Sequence, residues 1–301
     1  MSAAGGRSTA ASPSRAAHRR ALWTMVLCTV LWSVAGVATR HLEHAEGFEV
    51  SFWRSAFCAA WIVGVLVLRH RGGWLAPIAA IGPVGFASAA MWAVMFTCFM
   101  VALTMTTVAN VLVVMAASPL LAALLGLAVL REPVLPRTWG AIAIAAAGIV
   151  WMVRDGLDRS GLAGMAVAFA VPVASAVNIV LLKRTGAKVD LGPAVLVGAV
   201  VSAAICLPLG WPLTASAPDL AILAGLGVLQ LAVPCLIMVR VARDLAPHEI
   251  ALLGLLEVVL GPLWAWVGAG EAPTESTLQG GVLVLAALLL NELVGMREKR
   301  A

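Results

Sequence analysis

Apolar stretches of roughly 17–25 residues recur along nearly the whole chain, parted by short segments rich in Arg, Glu, Pro and Gly. Each stretch has about the length a helix needs to cross a hydrocarbon layer ~30 Å thick. Ten such helices are predicted, near 22–39, 50–68, 79–101, 106–130, 137–153, 161–182, 192–213, 219–240, 247–268 and 277–295. Only Thr104, Thr106 and Thr107 part the third stretch from the fourth. A single helix of about 50 residues would overrun the membrane, so a short turn is predicted there. The period-two alternation that a membrane barrel requires is absent.

Composition supports the same class. Of 301 residues 62% are hydrophobic and 12% charged, with a mean hydropathy of +1.00. A soluble chain carries about 25% charged and about 45–50% apolar residues, so too few charges are present to coat a surface facing water. The sequence pI near 9.3 suits an anionic membrane leaflet. No basic stretch is interleaved with aromatics in a polar segment, so nucleic acid is not an expected partner. The five cysteines, Cys28, Cys58, Cys98, Cys206 and Cys235, all lie in apolar runs without CxxC spacing. Disulfides, metals and cofactors are therefore not expected. Arg19 and Arg20 before an apolar run also fit the pattern of a signal peptide. The length of the run and the hydrophobic segments beyond it favour a first span instead.

The positions of Lys and Arg orient the chain. With the N-terminus in the cytoplasm, 16 of the 20 fall in inside segments, three (Arg40, Arg154, Arg159) fall outside, and Arg54 lies within a span. Both termini are then cytoplasmic. Sliding the sequence by 139 positions aligns Ala117–Gly140 with Leu256–Gln279, pairing Leu121 with Leu260, Leu124 with Leu263, Glu132 with Glu271 and Thr138 with Thr277. Each copy holds an apolar helix, a Glu at its end, a Pro-containing turn and a small-residue helix. Five spans per copy is an odd number, so the second copy is inverted, a transporter architecture with its substrate site near the midplane. The fold expected is an all-α membrane protein of ten helices in two inverted five-helix repeats. A disordered cytoplasmic tail over 1–20 precedes repeats over 21–155 and 156–296, and a basic cytoplasmic tail over 297–301 follows.

Four segments carry a family resemblance: LWSVAGVATR, VSFWRSAFCAA, ASPLLAALLGLAVLREP and LLGLLEVVLGPLWAWVGAGEAPT. From about Leu22 to Met296 the chain resembles the EamA-type ten-helix permeases of the drug/metabolite transporter superfamily. The resemblance implies small-molecule transport, with an Arg at position 54 beside the cavity and the fifth and tenth helices behind the transport core. The chain departs from the family pattern at Val258, where a Pro usually follows the Glu, and Pro262 lies one helical turn later.

Glu257 is the sharpest candidate, about ten residues into its span and near the bilayer centre. A lone charge there costs at least about 2.5–3.5 kcal/mol on insertion scales. It faces a polar cavity, pairs with a cation, holds a proton, or bonds to a neighbouring helix backbone. Arg54 stays charged and needs an acidic partner, a substrate carboxylate or the headgroups, to which it could snorkel. Asn110, Asn178 and Gln230 are intramembrane amides that glue helices or bind substrate. Ser118, the repeat mate of Glu257, and Ser175 are further polar candidates. Pro119, Pro172, Pro234 and Pro262 lie inside spans, where each removes a backbone hydrogen bond and kinks its helix. Such kinks either free carbonyls to line a cavity or serve packing.

The aromatic residues fall in helical stripes, Trp53, Phe57 and Trp61 on one and Trp92, Phe96 and Phe99 (beside Met91 and Met95) on another. Most of these read as packing or lipid-facing. Trp32 and Trp92 are the candidates for lining a cavity that takes apolar or aromatic substrates. Glu132 and Glu271 read as caps at helix ends. His41 and His44, with Glu43 and Glu46, read as a solvated loop rather than a metal site. Gly140, Ala143, Ala147 and Gly148 permit close helix approach, within the bundle or across a homodimer seam.

The function expected is secondary active transport of small metabolites, with export of amino acids or related compounds by alternating access. No Walker-type loop is present, so protons or the substrate's own gradient would supply the energy. An embedded hydrolase would need HExxH or a nucleophile–base pair. His18, His41, His44, His70 and His248 all lie outside span interiors, and the enzyme reading is set aside. The short loops offer no channel filter. A flippase or transporter of a lipid-linked substrate is the alternative. The Ala- and Arg-rich, Lys-poor composition suggests a GC-rich bacterial genome and hence the inner membrane.

Overall fold

The computed structural model describes residues 15–106, 108–154, 161–185, 190–270 and 272–298. Glu271 and most of the two expected tails lie outside the described residues. Among those described, every regular element is helical, because lipid offers backbone N–H and C=O groups no partner and a helix satisfies them internally. The first half of the chain holds α1 (Arg15–Ser33), α2 (Ala35–Thr39), α3 (Gly47–His70), α4 (Ala76–Ala79), α5 (Gly82–Met105), α6 (Val108–Met115), α7 (Ser118–Leu125) and α8 (Pro136–Val153). The second holds α9 (Leu162–Thr185), α10 (Gly192–Leu209), α11 (Ala217–Gly225), α12 (Val233–Val241), α13 (Pro247–Gly254), α14 (Leu256–Ala269) and α15 (Glu275–Glu298). Two π-helical stretches, Gly126–Leu130 and Leu226–Ala232, extend α7 and join α11 to α12.

Among the described residues, eight helical stretches are long and apolar enough to cross a membrane, from Ala16–Thr39 to Pro247–Ala269. The other two expected spans fall on α8 and α15, and the apolar part of α15, Glu275–Asn291, is shorter than the eight. Large apolar side chains such as Leu68, Leu162, Val267 and Leu289 point outward, an arrangement water would penalise and lipid does not. The turn expected between the third and fourth stretches falls at Thr106, which is extended at φ −150° and ψ 172° and ends α5.

Among the described residues, three spans are broken rather than continuous. α1 passes to α2 through Val34, α6 to α7 through Ala116 and Ala117, and α13 to α14 through Leu255. Around them α5 packs on α9 and α10, α3 on α10 and the second π stretch, α1 on α12 and α14, and α7 on α9 and α13. The largest apolar core joins Met25, Ile62, Trp92, Ile179, Val195, Leu245 and Ile250 from both halves of the chain. Helices α8 and α15 form a separate pair that closes against the fourth and ninth spans. A side chain at Gly280 would run into the carbonyl of Gly148 and into Met152, so only glycine permits this crossing. Thr138 Oγ1 donates to Asn291 Oδ1 at 3.1 Å across it. Of the small residues in α8, Gly148 thus serves packing within the chain, whereas Gly140, Ala143 and Ala147 lie on its exposed side.

Polar clamps tie the two halves together at both ends. Where α2 ends, the fully buried Asp219 carboxylate accepts from the backbone N–H groups of Glu43 (2.8 Å), His44 (3.0 Å), Ala45 (3.2 Å) and Ser216 (3.1 Å). Beside it Glu49 accepts from the N–H groups of Thr214 and Ala215, the Thr214 hydroxyl and the Trp53 indole. Where α1 begins, Lys183 Nζ lies 3.0 Å from Glu132 and donates to the Leu245 carbonyl at 2.7 Å, and His18 lies 3.5 Å from Glu249. The sequence reading of Glu132 as a cap omitted this inter-half partner.

Candidate functional site

A cavity of about 130 Å³ lies between the clamps, walled by both halves of the chain. Its walls come from α1 (Met25, Trp32), α5 (Phe99), α6 (Met115), α7 (Ser118), α9 (Ser175, Ile179), α12 (Met238) and the ninth span from Ile250 to Val258. At ~10–15 Å³ per water-sized atom, that space admits on the order of ten atoms. Most of the lining is apolar. Glu257, Ser118 and Ser175 supply the side-chain polarity.

The broken helices explain how these groups arrive there. The frame that pairs Ser118 with Glu257 also pairs Ala116 with Leu255, and both of those positions are helix breaks. Each half therefore interrupts a span at one equivalent point and sets a polar residue in the first turn beyond it. Pro119 stands in that first turn of α7, where a missing N–H costs nothing. In the ninth span the break falls at Leu255, ahead of Glu257, and α14 runs unbroken through Pro262. The irregular turn thus precedes the Glu, and Pro262 lies within regular helix.

The Ser118 hydroxyl is buried without a hydrogen-bond partner. The Glu257 carboxylate has no hydrogen-bond or ion-pair partner among the described residues. Ser118 and Glu257 thus both keep hydrogen-bonding capacity at a mostly apolar wall, whereas most buried polar groups in proteins are paired. The charge of Arg54 is near enough to act on Glu257 without a hydrogen bond between them.

Arg54 does not snorkel. Its residue is 7% exposed, and its guanidinium donates to Gln230 Oε1 at 3.0 Å and to Met100 Sδ at 3.3 Å, leaving Nε buried and unpaired. Gln230 in turn donates to the Trp32 carbonyl at 3.3 Å. Arg54 and Gln230 therefore form a second layer behind the Trp32 wall. Two local features bring them together. Leu226–Ala232 is π-helical, a form that recurs at functional sites. Gly227 lets that segment approach α3, because an added Cβ would stand 2.6 Å from Phe57 Cβ and 2.7 Å from the Arg54 carbonyl oxygen. Pro234 follows in the first turn of α12.

The remaining candidates lie elsewhere. Trp92 is 2% exposed in the main core, its ring tilted against Phe96 with centroids 5.6 Å apart, and its indole N–H has no partner among the described residues. Asn178 accepts from the Ser88 hydroxyl at 2.6 Å between α9 and α5, with Nδ2 unpaired. Asn110 donates to Thr106 Oγ1 at 2.7 Å near the start of α6. Pro172 lies inside α9, three residues before Ser175. None of these four borders the cavity. His44 lies in the loop of the Asp219 clamp, 3.9 Å from that carboxylate. Sequence reasoning missed Glu49 and Asp219. Ser216-Ala-Pro-Asp219 before an apolar run is a capping-box pattern that marks Asp219, but nothing local marks its three partners over 170 residues away.

A model of the EamA-like transporter family matches residues 19–154 and again 162–293. No curated protein matches the chain in sequence. A protein crystal structure has a similar fold, with a TM-score of 0.78 over 91% of this chain and 98% of its own at 18% identity.

Proposed function

From the premise that the chain belongs to the EamA-like transporter family, we propose that it is a secondary active exporter of amino acids or related small metabolites. It works in the bacterial inner membrane through ten spans with both termini cytoplasmic. Alternating access exposes the central cavity to each side in turn, as inverted repeats rock about a fixed site. The observation that carries this reading is the pairing of Glu257 and Ser118 at equivalent helix breaks on one cavity.

The substrate class follows from charge and size. A buried cation needs a counter-charge, and Arg54 has only an amide and a thioether. A substrate carboxylate directed toward Arg54, reached once the Trp32 and Gln230 layer shifts, would supply one. The substrate ammonium then meets Glu257, or Glu257 carries a proton in exchange. Space for on the order of ten atoms favours such a solute over a lipid-linked one. Opening either end requires releasing one clamp, Asp219 and Glu49 at one face or Lys183 and Glu132 at the other.

The test is flux of a labelled amino-acid and metabolite panel into liposomes under an imposed pH gradient, for wild type and Glu257→Gln. Gradient-driven flux that Glu257→Gln abolishes is expected. Equal flux in both would remove Glu257 from the mechanism. Flux of lipid-linked substrates alone would replace the small-solute reading.

A further inference from the structure

A second cavity, of about 210 Å³, opens where α3 and α12 end and α10 begins. This is the face at which α1 also starts, because α3 runs back to it from the Asp219 clamp. Arg69 stands in the last turn of α3 and Arg240 in the last turn of α12, and both line the cavity. Both are exposed, and neither guanidinium has an ion-pair or hydrogen-bond partner among the described residues. One carboxylate, Asp190, also lines it, with Oδ1 accepting from the Gly192 N–H at 3.0 Å. The groove is therefore net positive at its mouth. Deeper in it is apolar, walled by Ile62, Leu66, Leu236 and Ile237. Beside it Val67 and Leu68 are exposed, Leu68 by 83%.

We propose that this groove is a binding site for an anionic phospholipid. The phosphate lies between Arg69 and Arg240, and an acyl chain follows the apolar wall between α3 and α12. Charge and shape select this occupant together. Two unpaired guanidinium groups match the oxygens of a phosphate, and basic pockets between membrane helices at this kind of face hold lipid headgroups. A free phosphate would leave the apolar wall empty, and a zwitterionic lipid would set its own ammonium against the arginines. The site is separate from the central cavity, with which it shares no lining residue. A lipid there would bridge α3 of the first half to α10 and α12 of the second.

Thermal unfolding of the full chain in mild detergent tests this, with phosphatidylglycerol or phosphatidylcholine titrated in. The variants are Arg69→Gln with Arg240→Gln, and a control, Arg19→Gln with Arg184→Gln, that removes equal charge from exposed positions at the same face. Phosphatidylglycerol is expected to raise Tm and phosphatidylcholine to leave it unchanged. At about fivefold in affinity per basic residue near a charged headgroup, the groove variant needs at least about tenfold more phosphatidylglycerol for half the shift. The control keeps the wild-type midpoint. Should the double variant not fold, each single variant is expected to move the midpoint by about fivefold. Equal shifts with both lipids, an equal loss in the control, or the same shift from inorganic phosphate alone would each overturn the proposal.

Discussion

Replacing Asp219 by Asn preserves the shape of the clamp and changes its chemistry. Oδ1 accepts from Glu43, and Oδ2 accepts from His44, Ala45 and Ser216, at 2.8–3.2 Å. An amide offers one acceptor oxygen, and its nitrogen is only a donor. With the amide oxygen on the Oδ2 side three bonds survive, but the NH₂ group faces the Glu43 N–H. The opposite rotamer forfeits three bonds, so the first is preferred. A hydrogen bond to a charged group contributes about 1.5–3 kcal/mol and a neutral one about 0.5–1.5. Losing one and weakening three, with partial relaxation of the loop, sums to about 2–4 kcal/mol against the closed clamp. The cost is local, so it appears as opening of the 40–47 segment rather than global unfolding. Hydrogen exchange of a peptide spanning 40–47 in detergent should accelerate by roughly 30- to 700-fold, at tenfold per 1.4 kcal/mol. Unchanged exchange in folded Asp219→Asn would refute the assignment of this carboxylate as the latch.

Two further substitutions separate packing from transport. Gly227→Ala drives a Cβ against Phe57 and the Arg54 carbonyl at 2.6 and 2.7 Å, and overpacking of this order costs about 1–3 kcal/mol. A lower Tm is expected, and an unchanged one would deny the close approach. Arg54→Met removes a buried charge that lacks a carboxylate partner, a change often neutral or stabilising. Its Tm should hold or rise while flux of carboxylate-bearing substrates falls at least about tenfold. A collapse in Tm, or retained flux, would contradict a substrate-facing role.

Long-period features of the chain were readable from its sequence, and short-range irregularities were not. Apolar stretches of membrane length located the helices because lipid imposes one solution on the backbone. The breaks at Ala116–Ala117 and Leu255 carry no such signature. Neither position is itself Gly or Pro, although Pro119 opens α7 just after the first break and Gly254 directly precedes the second. Glu257 stood out because a charge amid apolar neighbours is conspicuous, and Arg54 for the same reason. Whether a buried amide glues helices or faces a cavity is a tertiary property. Asn178 bonds to Ser88 between α9 and α5, whereas Gln230 backs the cavity wall, though the two sit in similar apolar sequence. Trp92 shows the same limit, since the main core buries it with Phe96 while Phe99 of the same stripe reaches the cavity.

The paired breaks lead to a last prediction. Symmetry gives the cavity two equivalent positions, and the sequence fills one with a carboxylate and the other with a hydroxyl. If the chemistry requires one carboxylate in this apolar space, the half that supplies it should matter less than its presence. Ser118→Glu combined with Glu257→Ser moves the group across the cavity and leaves the summed side-chain volume unchanged, the kind of exchange packing tolerates best. Glu257→Ser alone should lose gradient-driven flux. Ser118→Glu alone sets two carboxylates in one small space, where like charges resist common ionisation, and should lose it as well. The double variant should recover a measurable fraction, on the order of a tenth of wild type, a barrier difference of about 1.4 kcal/mol. Recovery in the liposome assay would mean that the two halves present interchangeable positions to one substrate. A double variant with wild-type Tm and no more flux than Glu257→Ser would mean that Glu257 works through its own neighbours, with Arg54 foremost, and that the symmetry of the breaks belongs to the fold alone.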